Sequence, residues 1–419
     1  GSRTEGWVAA LQLAVLSLRD RPDAARFIDR FTGDDRFVVD YLVEEVLRRQ
    51  PEDVRRFLLD TSVLERLTAP LCAALTDDPG GARAMLDRLE RDNLFVVPLD
   101  EHRRWFRYHH LFAEVLRAHL HQERPDDVAD LHQRASRWFA QEGPVEEAVR
   151  HALAAGDPTT AADLAERAIP DLRRERREDV IRRWVDELPA EVVRERPVLA
   201  VGLIGGLVAS NDLVRVEERL KAVEELLTRP PSDLIVAQPE ELASVPARVE
   251  MYRAALALTA GDPAAAIHHA HRSRGLAPAG DDLSVAAASG LAGLASWATG
   301  DLVRAHESYV VCAAGLERAG YVADVLGCSL TIADLELALG RLGDADRTLR
   351  RALDLARRQG RDGEVLRGTA DMLVALSRTA WHRDDLTAAA ELLREADDLG
   401  ESAGLPQQPY RWRVAMARL

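Results

Sequence analysis

Histidines are the residues of this sequence best suited to binding a metal or a phosphate group. Their spacing limits which of these roles they can have. One predicted helix contains three of them: His268, His269 and His271. No two have the i, i+4 spacing that places two ligands on one helix face, and no third ligand is evident, so the stretch predicts no metal site. His109 and His110 stand where a short aromatic run meets a helical pattern. An imidazole there can donate a hydrogen bond to a phosphate oxygen; the alternative is that His109 merely begins the helix.

Catalysis by this chain is not predicted. Serine, histidine and aspartate are plentiful, but no nucleophile-elbow signature accompanies them. The Gly-x-x-x-x-Gly-Lys-Ser/Thr pattern of a phosphate-binding loop occurs nowhere in the sequence. We therefore expect that the chain is not an enzyme and that it holds no cofactor or metal of its own.

The cysteines and the chain ends bear on cellular location. The chain has three cysteines: Cys72, Cys312 and Cys328. They are widely separated, without the paired spacing of a metal site or a disulfide framework, which predicts reduced, buried thiols. The sequence has neither an apolar run of membrane-spanning length nor a signal peptide, which predicts a cytoplasmic protein. The dipeptide Gly1-Ser2 resembles a cloning remnant, which predicts an excised fragment.

An excess of acidic residues argues against nucleic-acid binding. The 419 residues include 55 Lys and Arg against 70 Asp and Glu, for a formal net charge of −15, which repels phosphate backbones. The arginine-rich run at 173–177 and the pair Arg182-Arg183 are interleaved with acidic residues. We interpret this stretch as a solvated helix face.

The composition predicts a mainly all-α fold. Aromatic residues make up only 5% of the chain, and Ala and Leu dominate its apolar residues. Glycines recur with a period near forty residues at Gly280, Gly320, Gly360 and Gly400, with Gly300 and Gly340 at the midpoints. Each repeat is therefore two helices. Because one pair cannot bury both of its apolar faces, successive pairs must stack into a solenoid like that of tetratricopeptide repeats (TPR).

Turns of similar composition separate the paired helices. They are Gly156-Asp157-Pro158, Asn211-Asp212-Leu213, Gly261-Asp262-Pro263, Gly300-Asp301-Leu302, Gly343-Asp344-Ala345 and Asp384-Asp385-Leu386. Glycine is expected to end one helix in a left-handed conformation, and aspartate to cap the next helix. A further first helix is expected to begin at Gln408.

The concave groove of such a solenoid is lined by the first helix of each pair. These helices carry aromatic and cationic residues, namely Arg248, Tyr252, Arg253, Trp297, Trp381, Arg411 and Trp412, with Tyr321 at a repeat junction. Aromatic faces combined with hydrogen-bonding groups suit a sugar, another polar metabolite or a peptide. Packing within the repeats is the alternative for each residue taken singly.

Residues 51–122 have the pattern of a winged helix. Helices are predicted at Glu52–Asp60, Leu71–Leu75 and Ala84–Arg91, followed by a hairpin of Leu94–Val97 and Trp105–Tyr108 and by a helix from Leu111. On the third helix, arginines alternate with acidic residues, so its charges cancel. This disfavours direct reading of DNA, which needs cations directed at bases and phosphates.

Five motifs, in this order, carry a family resemblance: Thr4–Leu11, Phe31–Asp35, Asp40–Leu42, Arg56–Ser62 and Phe106–Phe112. They resemble the MalT-type, large LuxR-family transcriptional regulators, which belong to the signal-transducing NTPases with numerous domains (STAND). The resemblance is specific over residues 3 to about 122, where the motifs lie. The remainder of the chain resembles the family only in being a helical array.

The resemblance implies the rest of the architecture. In the family, a P-loop NTPase module precedes the winged helix, and a helical-repeat sensor and a LuxR-type helix-turn-helix follow it. This chain would supply a helical subdomain (1–50), the winged helix (51–122), atypical repeats or a linker (123–240) and a truncated TPR-like sensor (241–419). ATP or ADP would bind in the parent protein, where the resemblance assigns to His109 a contact with the β-phosphate. Val8 replaces a proline of the family's nucleotide contact.

Three functional hypotheses follow. In the first, the solenoid binds a small-molecule inducer or a regulatory protein, and the winged helix relays its occupancy to the nucleotide domain. The parent protein then self-associates and activates transcription. It would contact DNA only through a terminal helix-turn-helix, and it would not contact a membrane. In the second, the chain is a TPR-like protein-interaction scaffold fused to another effector such as a kinase. In the third, the winged helix binds DNA directly, which the negative charge opposes.

Overall fold

A computed structural model describes residues 46–419, apart from residues 77, 79, 93, 176 and 361–364. The helical subdomain expected at residues 1–50 lies mostly outside the described residues, as do the family-like motifs before Arg56. The chain divides between residues 168 and 169 into two compact units. Within the described ranges, no helix is both long and apolar enough to cross a membrane.

The first unit begins with a winged helix. Its elements are α1 (Glu52–Thr61), α2 (Ala69–Thr76), α3 (Ala82–Arg91), β1 (Val96–Pro98), β2 (Phe106–Tyr108) and α4 (His110–Glu123). The strands are antiparallel, with Val96 opposite Tyr108, and Leu67 forms an additional bridge with Phe106. The predicted order of three helices, a hairpin and a helix is confirmed.

The hairpin differs from the prediction at its first strand, which begins two residues later. Phe95 is buried with φ +57°, a left-handed conformation that interrupts the extended backbone before β1. Its ring packs on Phe112, with the centroids 5.1 Å apart. At the hairpin tip, the Asp100 carboxylate accepts hydrogen bonds from the backbone N–H groups of Arg104 (3.0 Å) and Trp105 (2.8 Å), and these bonds lower the pKa of Asp100.

Three more helices follow the winged helix: α5 (Pro125–Glu142), α6 (Val145–Ala154) and α7 (Pro158–Arg174). One hydrophobic core runs from Leu58 in α1 through Phe106 and Phe112 to Phe139 in α5 and Ala148 in α6. The winged helix and the α5–α6 hairpin are therefore packed as one body. The boundary between the two units falls within α7.

A pair of histidines joins α5 to α6. The Nδ1 atoms of His132 and His151 lie 2.7 Å apart, and the buried His151 ring stacks on Phe139. Arg150 donates a hydrogen bond to Nε2 of His151 at 3.1 Å, so the proton of His151 must lie on Nδ1, which donates to Nδ1 of His132. Both rings are thus neutral. Burial, reinforced by the charge of Arg150, lowers the pKa of His132 to about 4 and that of His151 to about 3.

The second unit is a row of helix hairpins. After the end of α7 come α8 (Glu178–Glu187), α9 (Ala190–Arg194), α10 (Pro197–Ala209), α11 (Leu213–Leu226), α12 (Pro239–Leu242), α13 (Val245–Thr259), α14 (Pro263–Leu276), α15 (Asp282–Ala298), α16 (Leu302–Arg318), α17 (Val322–Ala338), α18 (Leu342–Gln359), α19 (Thr369–Trp381), α20 (Leu386–Asp398) and α21 (Gln408–Met416). Each first helix packs on its own partner. First helices also contact one another, as α10 does α13, α13 does α15, α17 does α19 and α19 does α21. This is the predicted solenoid, with a further first helix at Gln408.

The turn chemistry is confirmed at most positions. Five of the predicted aspartates cap a following helix by accepting a hydrogen bond from the N–H group three residues ahead, at 2.9–3.2 Å: Asp157, Asp212, Asp262, Asp301 and Asp385. Asn211 and Asp384 take the left-handed position that Gly261 and Gly300 occupy in the other turns. Asparagine and aspartate adopt this conformation more readily than most residues with a side chain.

The predicted turn Gly343-Asp344-Ala345 is wrong. The left-handed residue is Gly340, with φ +72°, and α18 begins at Leu342, so Gly343 and Asp344 lie in the first helical turn. Gly360 ends α18 with φ −61°, outside the left-handed region. Regular sequence spacing of glycines thus does not ensure that each has the same conformation.

Two cysteines that are widely separated in the sequence lie close together in the structure, and one of them, Cys328, is only partly buried, whereas the sequence predicts that all three are buried. Cys312 in α16 and Cys328 in α17 have their Sγ atoms 3.6 Å apart. Because α16 and α17 are consecutive, contacting helices joined by a short turn, these two positions meet despite their separation in sequence. All three cysteines are free thiols, and Cys72 is buried in the first unit.

Glycines allow close packing on α10. A Cβ atom at Gly206 would lie 3.0 Å from backbone atoms of Arg182 in α8, and one at Gly202 would lie 2.7 Å from the side chain of Ile169 in α7. The helix axes can approach this closely only because no side chain separates them. The sequence Gly202-x-x-Gly205-Gly206 therefore fixes where α7 and α8 meet α10.

We expect Gly206→Ala to lower the free energy of unfolding by roughly 1–2 kcal/mol, because the new methyl group would press on helix backbone that cannot rotate away. The matched control is Gly327→Ala in α17, where a Cβ atom meets nothing within 4 Å. This change should stabilise the chain by about 0.5–1 kcal/mol, since alanine loses less backbone entropy on folding. Urea denaturation of both variants measures the difference, and effects of the same sign would contradict the packing argument.

The histidine pair should make the first unit sensitive to acid. Both pKa values are lower in the folded state, so the unfolded chain binds more protons as the pH falls below about 6.5. The stabilisation is therefore complete above that pH and is lost as the pH falls towards 4. For the buried His151, the loss between pH 7 and pH 5 amounts to about 2 kcal/mol. Hydrogen exchange of α5 and α6 at both pH values measures it.

His132→Gln removes one titrating partner and should reduce this pH dependence. His102→Gln changes an exposed histidine outside the pair and serves as the control. This variant should keep the pH dependence of the unaltered chain. Equal pH dependence of all three proteins would show that the pair does not cause it.

Candidate functional site

Two of the family-like motifs meet in the first unit. The Thr61 hydroxyl donates to the Phe57 carbonyl at 2.7 Å, so the Tyr108 hydroxyl, 2.6 Å away, donates to Thr61. Burial raises the pKa of Tyr108 far above its usual range. Because Tyr108 ends β2, this chain of hydrogen bonds attaches the hairpin to α1 immediately before His109.

Asp60, in the same motif, anchors the break between α4 and α5. Its carboxylate accepts a hydrogen bond from Arg124 at 2.7 Å, and Arg124 also pairs with Asp127 at 2.6 Å. Burial raises the pKa of Asp60, and the guanidinium of Arg124 opposes that rise. The motif thus contributes to the structure of the winged helix through a buried, paired charge.

His109 occupies the position just before α4. Its backbone N–H donates to the Phe95 carbonyl at 2.8 Å, and its half-buried ring lies 4.4 Å from that of His110, measured between centroids. The positive end of a helix dipole lies at this point, which is electrostatically suited to an anion. A contact of His109 with nucleotide phosphate remains a prediction.

The exposed surface of α3 carries paired charges. Its ion pairs include Arg83–Asp87, Arg88–Asp53 and Arg103–Glu90, with N···O distances of 3.1, 3.3 and 3.4 Å. Each of these arginines has an acidic neighbour, and Arg103 comes from the hairpin tip that would approach a DNA backbone. This compensation of charge argues against DNA reading by α3.

In the second unit, two of the predicted groove residues converge on Arg173 and Arg174, at the end of α7. The Arg173 guanidinium donates to the Gly202 carbonyl at 2.8 Å and to the Tyr252 hydroxyl at 3.0 Å. Tyr252 lies on α13 and is 8% exposed. Three helices of the array, α7, α10 and α13, are therefore joined at one guanidinium.

Tyr321, at the start of α17, completes the group. Both Arg173 and Arg174 lie near its hydroxyl and oppose the rise in its pKa that burial causes. Arg174 is about half exposed and also pairs with Asp171 at 2.8 Å. We call Arg173, Arg174, Tyr252 and Tyr321 the Arg–Tyr cluster.

Gly205 explains why this cluster can form. A Cβ atom at this position would lie 3.2 Å from a terminal nitrogen of Arg173 and 3.5 Å from the hydroxyl oxygen of Tyr252. A larger side chain would displace both groups. The glycine-rich face of α10 thus positions the cationic part of the cluster.

The other predicted cationic groove residues form ion pairs. Arg253 bridges Glu217 and Glu224, and these carboxylates raise its pKa. Arg248 pairs with Glu241. Both arginines are less than one-fifth exposed, so their main contacts hold α13 to the preceding segments.

The remaining predicted residues lie apart from the cluster. Trp412 donates its indole N–H to the Leu393 carbonyl at 2.9 Å, and Trp381 donates to the Arg418 carbonyl at 3.2 Å. Trp297 is 37% exposed. Two further side chains from the sequence analysis are paired with acidic groups: Arg411 with the buried Asp371, and His269 with Glu250. Glu250 also pairs with Arg272. Across the described residues, no three His, Cys, Asp or Glu side chains are grouped to hold a metal ion.

Arg173 is the residue that sequence reasoning missed. It belongs to the run interpreted as a solvated helix face, whereas the structure half-buries it against α10 and α13. A usable signal was present in the glycine spacing at 202, 205 and 206, which marks a helix face that a neighbouring side chain can approach.

We expect Tyr252→Phe to lower the free energy of unfolding by about 1–2 kcal/mol, because it removes the acceptor of a charge-assisted hydrogen bond at a buried position. Tyr410→Phe removes a hydroxyl group from a side chain that is 68% exposed and should have no measurable effect. Chemical denaturation of the two variants checks this. If they were equally stable, the bond between Arg173 and Tyr252 would contribute nothing.

Similarity to known proteins follows the two parts of this architecture. Residues 43–128 match the MalT winged helix domain, and residues 247–419 match the MalT-like TPR region. The HTH-type transcriptional regulator MalT of Serratia proteamaculans is 29% identical over 393 residues, which cover 93% of this chain and 42% of that protein. The serine/threonine-protein kinase PknK of Mycobacterium tuberculosis is 40% identical over 200 residues, covering 48% of this chain and 18% of the kinase.

Among solved structures, a STAND protein with a tetratricopeptide repeat sensor from Pyrococcus horikoshii has a TM-score of 0.61 at 13% identity, over 99% of this chain and 62% of that one. This likeness supports the fold. The chain thus spans less than half of the length of the MalT relative and less than a fifth of PknK. Because both MalT domains are matched in this order, and similarity to MalT extends over most of the sequence, the chain belongs to the MalT-type proteins.

Proposed function

We propose that this chain is the signal-sensing and coupling region of a MalT-like, LuxR-family transcriptional regulator. In this proposal the solenoid binds an inducer, and the winged helix passes the resulting change to a nucleotide-binding domain of the whole protein. The observation that carries the proposal is the Arg–Tyr cluster, in which Tyr252 and Tyr321 of two first helices meet the arginines at the end of α7 within a MalT-like array. The order of winged helix and TPR region supports it.

The chemistry of the cluster indicates the kind of inducer. Two guanidinium groups lie beside two phenol hydroxyls, and Arg174 is about half exposed. Guanidinium groups bind carboxylate and phosphate through paired hydrogen bonds, and phenol rings add apolar contact area. A small polar metabolite with an acidic group fits this arrangement. Each hydrogen bond to a charged group contributes about 1.5–3 kcal/mol.

Coupling to a nucleotide would involve the first unit. His109, at the start of α4, is the candidate contact to a phosphate of ATP or ADP in the whole protein. A switch from 1:99 to 99:1 requires about 5.5 kcal/mol, more than one hydrogen bond supplies. The proposal therefore assigns to His109 part of the free energy that stabilises the nucleotide-bound state. Contacts within the nucleotide domain itself would supply the rest.

A second candidate function is a protein-interaction scaffold attached to a different effector. The similarity to the kinase PknK favours it, since a related segment occurs there within a serine/threonine-protein kinase. In this case the solenoid would hold a protein segment, and the Arg–Tyr cluster would contact an acidic side chain of that segment.

A thermal-shift screen of the chain against acidic metabolites, with neutral sugars as a comparison set, tests the leading proposal. A ligand at 100 times its Kd should stabilise the chain by about 2.7 kcal/mol. Arg174→Gln should weaken binding of that ligand at least tenfold, because one charge-assisted hydrogen bond is lost.

Arg347→Gln is the matched control. Arg347 is likewise exposed and likewise pairs with an aspartate three residues before it, but it lies on α18, outside the cluster. It should leave ligand binding unchanged. If no acidic metabolite stabilises the chain, or if both variants weaken binding equally, the Arg–Tyr cluster is not an inducer site. A stable complex with a purified candidate protein would then support the scaffold.

A further inference from the structure

The two contacting thiols of the second unit have no part in the function proposed above. Cys312 lies in α16 and Cys328 in α17, 16 residues apart, with 3.6 Å between their Sγ atoms. The sulfurs need to approach by only about 1.5 Å to reach the disulfide bond length of about 2.05 Å. Side-chain rotation within an existing helix contact can supply much of that distance.

The surroundings of the pair are mainly apolar. Cys312 belongs to a buried cluster with Ala286, Leu316 and Val325, and Cys328 packs against this cluster. A Cβ atom on Gly290 of α15 would lie only 3.2 Å from the sulfur of Cys312, so the glycine provides the space that this sulfur occupies. The thiols are therefore held together by packing.

The two thiols differ in access and in acidity. Cys312 is 5% exposed, whereas Cys328 is only partly buried. When Cys328 is ionised, the Cys312 thiol can donate a hydrogen bond to its sulfur, and this bond lowers the pKa of Cys328. The same bond, together with burial, raises the pKa of Cys312. Cys328 is thus the more accessible and more readily ionised member, as an attacking thiol requires.

We propose that Cys312 and Cys328 form a redox-active dithiol that reacts with low-molecular-weight disulfides and closes an intramolecular disulfide bond between α16 and α17. The proposal rests on the position of the two sulfurs and does not depend on the proposed sensor function. It adds a site of covalent modification to the TPR region.

The reaction proceeds by two thiol–disulfide exchanges. The Cys328 thiolate attacks one sulfur of the small disulfide R–S–S–R, forming a bond to that sulfur while R–S⁻ leaves. The Cys312 thiol transfers its proton to this first R–S⁻, which becomes R–SH. The Cys312 thiolate then attacks the sulfur of Cys328, forming the disulfide bond and expelling the second R–S⁻. Two cysteine thiols are oxidised, and one small disulfide is reduced to two thiols.

Oxidised glutathione is the probe for the test. After incubation with it, the chain should lose two of its three free thiols, and peptide mapping without reductant should find Cys312 linked to Cys328. Cys72→Ala is the control variant and should give the same disulfide, because Cys72 is buried in the other unit. Loss of no thiols, or a disulfide that includes Cys72, would overturn the proposal.

Two further variants separate the roles of the thiols. Cys312→Ala should accumulate a stable glutathione adduct on Cys328, because the resolving thiol is gone. Cys328→Ala should leave the buried Cys312 unmodified under the same conditions. Thermal unfolding of both variants checks that they fold. If either variant does not fold, peptide mapping of the unaltered chain still decides whether Cys312 and Cys328 form a disulfide bond. Rapid modification of Cys312 in the absence of Cys328 would contradict the assigned order of attack.

Discussion

Each first helix of the second unit has more apolar surface than its own partner can cover. α17 shows this directly, since Val325 belongs to a cluster with residues of α15 and α16, while Leu326 and Leu330 belong to another with residues of α18 and α19. Burying one such side chain is worth about 1.5–3 kcal/mol. A hairpin separated from its neighbours would lose a large part of this burial free energy, so the array is stable only as a stack.

The stack also determines where chemistry is available. Cationic side chains of the first helices mostly form ion pairs with neighbouring helices, as Arg253 of α13 does with Glu217 and Glu224 of α11. The Arg–Tyr cluster forms where the glycine face of α10 lets a guanidinium reach past the helix backbone. The proposed inducer site is thus a by-product of close helix packing combined with one half-exposed charge at Arg174.

Local signals in the sequence predicted much of the fold. Asp262 and Asp301 were identified as helix caps because a cap needs only its own side chain and an N–H group three residues ahead. The Gly343 turn failed because the same two-residue pattern can lie inside a helix, and the end of α17 decides where the turn falls.

Features of the site that depend on contacts distant in sequence could not be predicted in the same way. Tyr252 and Tyr321 were selected by residue type, and the structure brings both to Arg173 and Arg174. The inward direction of Arg173 depends on what lies across from it, namely a glycine and a tyrosine of two other helices. The meeting of Cys312 with Cys328 likewise depends on the depth at which α16 and α17 pack.

The two arginines at the end of α7, Arg173 and Arg174, act on Tyr321 at the start of α17, and this proximity affects how the array unfolds. In an ideal repeat protein each unit interacts only with the next, and its melting can be treated as a one-dimensional chain of nearest-neighbour couplings. Here the end of α7 reaches α17 directly, past the intervening hairpins. Loosening of an interior hairpin therefore separates the two arginines from Tyr321, and the segment from the end of α7 to α17 gains cooperativity that a linear array lacks.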